Sequence, residues 1–169
     1  FTADEIWNTL PGKREAHALM ATWYENLQAL PSDSALNTED FDAVFALRDA
    51  VSKVLEPMRV NGDIGASLQA EVDVFVDDAL LQKLQPVSDE ARFLFITSQL
   101  NLKSLSAKNE QAVAVENSPV FIHAQASKFT KCIRCWHYRE DVGSHSDDPE
   151  LCSRCEINVN GAGEIRRFF

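Results

Sequence analysis

Hydrophobic length is what this sequence most lacks. In 169 residues no apolar run approaches a membrane span, and the first residues show no basic stretch followed by an apolar one, so neither a spanning helix nor a secretory leader is expected. Positive charge is scarce as well: 16 Lys and Arg face 26 Asp and Glu, a net charge of −10. The deficit is uneven, because residues 1–127 hold 9 basic and 19 acidic side chains whereas residues 128–169 hold 7 of each. A body this acidic repels phosphate at long range. That excludes non-specific nucleic-acid binding by the whole surface and requires any RNA or DNA contact to be local and positioned. No glycine-rich phosphate loop is present among the six glycines. There is no Met at the start. Phe1-Thr2-Ala3-Asp4-Glu5-Ile6 reads instead as a helix entrance, with Thr2 as N-cap, Glu5 three residues on and a Phe1/Ile6 staple, as if cut from within a longer polypeptide.

Cysteine is rare and concentrated. The chain has four, all in two matched turns, Cys132-Ile133-Arg134-Cys135 and Cys152-Ser153-Arg154-Cys155. Two sulfurs three positions apart on a tight turn can both reach one ion at about 2.3 Å, and two such turns complete a tetrahedral set. Four thiolates suit zinc and leave no open position for water, so one structural Zn²⁺ is expected on Cys132, Cys135, Cys152 and Cys155. Disulfides would need an oxidising compartment, and a redox pair would not need a second copy. With four sulfurs available, His137 and His145 are assigned to surface or packing roles rather than to the metal. Four thiolates around Zn²⁺ leave two net negative charges, which Lys131, Arg134 and Arg154 stand beside and offset. Paired metal-type cysteines, with no membrane span or leader, point to the cytosol.

The rest of the chain reads as α+β. A short helix carries Ile6, Trp7 and Leu10 and must stop at Pro11-Gly12. His17 to Leu30 is apolar and is expected to pack. A long helix capped by Thr38 carries Phe41, Val44, Phe45, Val51, Leu55 and Met58 at helical spacing and ends at Asn61-Gly62, with Pro57 expected to kink or shorten its last turn. The period then changes to two. Ala70, Val72, Val74 and Val76 alternate with Glu71, Asp73, Phe75 and Asp77, a strand with one solvated face. A short helix over 78–84, a second opening at Ser88, a buried strand over Phe93 to Thr97, and apolar runs at Ala112 to Val115 and Val120 to Ile122 complete a unit of three or four strands. The expected architecture is a helical N-terminal part (1–62), a small mixed α/β unit (63–127) and a C-terminal four-cysteine zinc-knuckle or ribbon module (128–169).

Several of these stretches resemble bacterial isoleucyl-tRNA synthetases. The tail Lys131-Cys132-Ile133-Arg134-Cys135-Trp136-His137-Tyr138, the second knuckle, and Asn158-Val159-Asn160-Gly161-Ala162-Gly163-Glu164 followed by Arg166-Arg167-Phe168 are similar to that family's C-terminal zinc module. Upstream, Phe1 to Trp7, Trp23-Tyr24, the Val44-to-Met58 helix and Ile64-Gly65-Ala66-Ser67-Leu68-Gln69-Ala70 resemble the distal anticodon-binding region and the junction domain after it. The resemblance implies a class I ligase that joins isoleucine to tRNA(Ile) with ATP. Its two signatures, a His-x-Gly-His element and a Lys-Met-Ser-Lys-Ser loop, are absent here, so this chain would bind no ATP and catalyse nothing alone. The implied partners are the anticodon arm of tRNA(Ile) and the remainder of the synthetase, with no membrane. Arg134, Trp136, His137, Arg154, Arg166 and Arg167 are the implied RNA contacts, each knuckle turn projecting an Arg to solvent while Trp136 offers a flat face for an unstacked base. Trp136 could equally cover the zinc sulfurs. A free-standing zinc-ribbon adaptor for protein or nucleic acid is the alternative function, and a thiol oxidoreductase a weaker third.

Overall fold

The structure, a computed structural model, describes residues 1–168 and forms two compact units, Phe1–Asp33 and Ser34–Phe169. In the first, α1 (Thr2–Thr9) starts with Glu5 N–H donating to Phe1 C=O at 3.0 Å, so Phe1 occupies the N-cap position without a side-chain bond and Thr2 lies inside the helix instead of capping it. Asp4 ties the following turn by accepting from Ala18 N–H (2.9 Å), and Trp7 Nε1–H donates to Glu15 C=O (2.8 Å). The apolar segment expected to pack forms one 3₁₀ turn, Ala18–Met20, and residues 21–30 are neither helix nor strand. Trp23 and Leu27 are exposed.

The second unit is built on α2 (Thr38–Asn61). Its cap is Asn37, not Thr38: the Asn37 side chain accepts from Asp40 N–H (3.0 Å) while the Asp40 carboxylate accepts from Asn37 N–H (2.8 Å), a reciprocal capping box. Asp40 is buried and also holds the Lys83 ammonium. The helix runs through Pro57 to Asn61, and Gly62 closes it at φ 82°. Pro57 has no N–H to give the Lys53 carbonyl, but both residues are exposed, where water can take that place.

Val44, Leu47, Val51 and Leu55 of α2 enter one core with Val72, Val74 and Val76 of β1 (Ala70–Val76), Leu100 of β2 (Gln99–Ser104) and Ile122 of β4 (Phe121–Ala126). The sheet order is β2-β1-β4-β3, with β3 at Val113–Ala114. β1 runs parallel to β2 (Val72 opposite Leu100) and antiparallel to β4 (Val74 opposite Ile122). A parallel pair needs a crossover, and α3 (Asp78–Leu84) with α4 (Ala91–Phe95) supplies it. Here the expected strand over Phe93 to Thr97 is overturned: those residues finish α4, Ile96 turns the chain at φ 56°, and the strand begins at Gln99. The expected solvated face of β1 is only partly so. Phe75 is buried, with Lys103 Nζ 5.9 Å from its ring, and Asp73 accepts from Asn101 and Lys103, each at 2.7 Å.

Residues 128–168 form a hairpin, β5 (Thr130–Lys131) and β6 (Tyr138–Arg139), and a helix, α5 (Ser153–Asn160), around a small core of Cys132, Leu151, Cys152 and Cys155. Tyr138 N–H donates to Ser98 Oγ at 2.5 Å, while Ser98 N–H donates to Ala70 C=O at 3.0 Å, which fixes the hairpin at the start of β1 and β2.

Candidate metal centre

The first pair of cysteines lies in the turn that the β5–β6 hairpin encloses. Cys132 N–H donates to His137 C=O and Trp136 N–H to Cys132 C=O, both at 2.9 Å, so six residues close on themselves with both sulfurs on one side. The turn forces Trp136 to φ 66°, a left-handed conformation unusual for a bulky residue. The second pair uses a helix start: Cys152 is the N-cap of α5 and Cys155 lies in its first turn. Two bonds register the halves, Ile133 N–H to Glu150 C=O (3.2 Å) and Cys152 N–H to Cys132 Sγ (3.4 Å). Asp141 Oδ2 accepts from Ser153 N–H (2.9 Å) and steadies the start of α5.

The four sulfurs all lie within 4.8 Å of one another, and Cys135 Sγ is 3.7 Å from Cys152 Sγ. Four sulfurs held at about 2.3 Å from one ion in a tetrahedron stand about 3.8 Å apart, so the set fits zinc. All four thiols are free, and Cys132, Cys152 and Cys155 are almost fully buried. The electrostatics favour a cation among the four sulfurs. Burial pushes the Cys135 thiol up, but hydrogen bonds from His137 and Arg154 outweigh it and bring it down to about 5. Cys152 and Cys155 are driven upward, first by burial and then by the neighbouring sulfurs. Ionisation of Cys135 is set against that of Cys152 and Cys155.

The flanking residues divide sharply. Arg134 is exposed and its Nη1 donates to Cys155 Sγ at 3.5 Å, as its place in the turn suggested. Arg154 does not project to solvent. Its side chain is 20 % exposed, pairs with Glu164 at 2.7 Å and lies over the Phe93 ring at 5.0 Å. His137 is buried outside the sulfur set, with Nδ1–H donating to Cys135 C=O (3.2 Å), Nε2 buried without a partner among the described residues, and its ring edge-on to Phe93 at 5.8 Å. His145 Nε2 bonds Ser153 Oγ at 2.9 Å and is likewise no member of the set. Trp136 is 59 % exposed, with Lys131 Nζ 5.2 Å from its ring, so it does not roof the sulfurs. Arg166 pairs with Glu164 (3.2 Å) and covers Phe93 at 3.9 Å, while Arg167 is exposed and its N–H donates to Glu90 at 2.8 Å. Phe93 and Glu164 together gather Arg154 and Arg166, yet neither carries a sequence signal for that role.

A family model described as a zinc finger found in FPG and IleRS matches residues 129–157, which agrees with the four-sulfur geometry. Across all 169 residues the chain is 47 % identical to an isoleucine–tRNA ligase of Stenotrophomonas maltophilia (strain R551-3). It is 48 % identical to an isoleucine–tRNA ligase of Xanthomonas oryzae pv. oryzae (strain MAFF 311018) and 46 % to that of Xanthomonas campestris pv. campestris (strain B100). Each match takes in the whole of this chain, which spans 17 % of the length of each of these relatives.

Proposed function

We propose, from the premise that this chain is over its whole length a homologue of part of the isoleucine–tRNA ligases, that it serves such an enzyme as its tRNA-holding C-terminal region. The identity across every element, helices and sheet as well as the zinc finger, is the observation that carries this reading; a free-standing adaptor would share the finger alone. The parent activity is then attachment of isoleucine to tRNA(Ile) with ATP in the cytoplasm, with ATP bound elsewhere in the longer polypeptide. Residues 1–62 act as the distal anticodon-binding part, 63–127 as the junction and 128–169 as the zinc module.

Cys132, Cys135, Cys152 and Cys155 hold one Zn²⁺, whose contribution is structural: a closed thiolate set fixes the two turns and supplies the folding energy of a module with a very small core. The chain's own residues do the rest. Trp136, held outward by its left-handed turn, presents an indole face beside Lys131, a flat surface next to a cation that suits an unpaired base and its phosphate. Gly65, Gln69 and Tyr138 line a recess of about 170 Å³ next to that indole. His137, buried, and Arg154, half-buried, support the knuckles instead of offering a surface.

The reading is tested in the longer enzyme by deleting residues 128–169. Productive placement of the acceptor end depends on holding the distal arm, so charging of tRNA should be lost while isoleucine-dependent pyrophosphate exchange, which needs no tRNA, persists. Loss of exchange to the same degree would remove the anticodon-arm explanation.

A further inference from the structure

Between α4 and the segment Glu164–Phe168 lies a cleft of about 320 Å³ with Arg92, Arg166 and Arg167 in its lining. Its chemistry is unbalanced. The guanidinium carbons of Arg92, Arg154 and Arg166 stand 4.6, 5.0 and 3.9 Å from the centre of the Phe93 ring, three like charges around one side chain. The acids nearest them are committed: Glu164 takes Arg154 (2.7 Å), Arg166 (3.2 Å) and the Asn158 amide (3.1 Å), and Glu90 accepts the backbone N–H groups of Arg167 (2.8 Å) and Phe168 (2.9 Å). Asp89 stands exposed at the rim, where water and salt screen it. Arg92 is left over. It is half-buried, it touches the Phe93 ring, and among the described residues its guanidinium has no hydrogen-bond acceptor or ion-pair partner. Burial, then repulsion from Arg139 and Arg154, lowers its pKa against the weaker pull of Cys152 and Glu164.

A guanidinium carries five N–H donors in a planar fork that matches two oxygens of one phosphate, and a half-buried fork is stronger than an exposed one because less water competes. We infer that this cleft is a phosphate site for the RNA backbone, with Arg92 making the forked contact and the Arg166–Arg167 segment flanking it. The shared chemistry is the phosphate oxyanion, for which free inorganic phosphate is the other source. The choice of RNA rests on the tRNA reading above. The site spans α4 and the last residues of the zinc module, in a recess that Trp136 does not line, and gives the RNA a second point of attachment.

The test titrates the zinc-loaded chain with an RNA stem-loop over a range of salt, and separately with inorganic phosphate. Arg92→Gln should lower RNA affinity and make the slope of log K against log salt shallower by about one, the signature of one phosphate contact removed. Arg92→Lys should restore the slope, since it keeps the charge, without restoring full affinity, since it loses the fork. Trp136→Ala should weaken binding with the slope unchanged. If Arg92→Gln retains the wild-type slope while Trp136→Ala weakens binding, the phosphate site is overturned and the tRNA reading stands. Should the wild-type chain bind no RNA, the tRNA reading fails and the phosphate titration decides. Saturable shifts of the Phe93 ring protons that vanish in Arg92→Gln keep the anion site, with free phosphate as its source, and their absence overturns it. If Arg92→Gln loses zinc, Arg167→Gln on the exposed segment takes its place, and an unchanged slope there overturns the proposal.

Discussion

The guanidinium of Arg154 lies over the ring of Phe93 at 5.0 Å while its Nη1 holds Glu164 at 2.7 Å, so one residue between two zinc-site cysteines joins the second knuckle to α4 and to the chain's last residues. That contact decides what Arg154 does. A side chain committed on both sides, its charge helping to hold the Cys135 thiol down, has little left to offer a passing phosphate.

Arg154→Ala should therefore weaken zinc retention, by about 10- to 100-fold as for other groups that support a metal's ligands, and should free the segment that Glu164 anchors. Competition with a chromophoric chelator measures the first effect, and amide exchange at residues 164–168 the second. Arg134→Ala is the contrasting variant, because Arg134 is exposed and among the described residues has its 3.5 Å contact with Cys155 to lose. Equal zinc loss in the two variants would contradict this division of labour.

Zinc itself should be present at about one per chain by metal analysis, and a chelator should unfold residues 128–168 while the α2–sheet core survives. The finger's own core is essentially its ligands, Leu151 and Val142, too little apolar burial to hold it, whereas the larger unit buries a full helix face against the sheet. Separate loss of zinc-finger and sheet amide signals checks this. Simultaneous loss of both would mean that the attachment through Ser98 makes them one cooperative unit.

Much of this arrangement was legible in the residues, for physical reasons that also mark where legibility stops. Cys-x-x-Cys turns are local geometry, so their spacing carried the metal set. Period-two alternation carried β1, and the spacing of Val44, Val51 and Leu55 carried α2. The run Phe93-Leu94-Phe95-Ile96 misled because a short apolar run is equally a buried strand or a buried helix turn. Only the crossover that the parallel β1–β2 pair demands makes it helical. Thr38 misled because Asn37 stood beside it and Asp40 could complete the box only with Asn37. Arg154 misled most. Its exposure depends on Glu164 and Phe93, contacts between distant parts of the chain that no local pattern encodes.

The capping box gives a pH prediction. The Asp40 carboxyl is held below its ordinary value, first by the Asn37 backbone N–H and then by Lys83. A depressed carboxyl contributes stability that is fully present above its unfolded pKa, about 3.9, and is lost as pH falls through the lower folded value. Acid unfolding of the α2–sheet core should thus steepen below about pH 4, and Asp40→Asn should flatten that part of the profile while lowering stability at neutral pH. Asn37→Ala should cost about 1 kcal/mol by removing the reciprocal cap. Denaturant titrations across the acid range read both, and an unchanged acid slope in Asp40→Asn would show that Asp40 titrates alike in the folded and unfolded chain.

Trp136 offers a test in which stability and function move in opposite directions. At φ 66° a residue with a Cβ is strained by roughly 1–2 kcal/mol, and glycine is not. Since the indole is 59 % exposed, its removal sacrifices little packing. Trp136→Gly should leave zinc affinity unchanged or improved, whereas Trp136→Ala should keep the strain and gain nothing. If the indole's role is to stack on an unpaired base, both variants should lose roughly 1–3 kcal/mol of RNA binding, in equal measure and whatever their stability. Zinc competition and RNA titration on the same two proteins separate the outcomes. A Trp136→Gly chain that loses zinc, with RNA binding falling only in proportion to the lost metal, would make Trp136 part of the finger's own packing and leave RNA contact to the arginines.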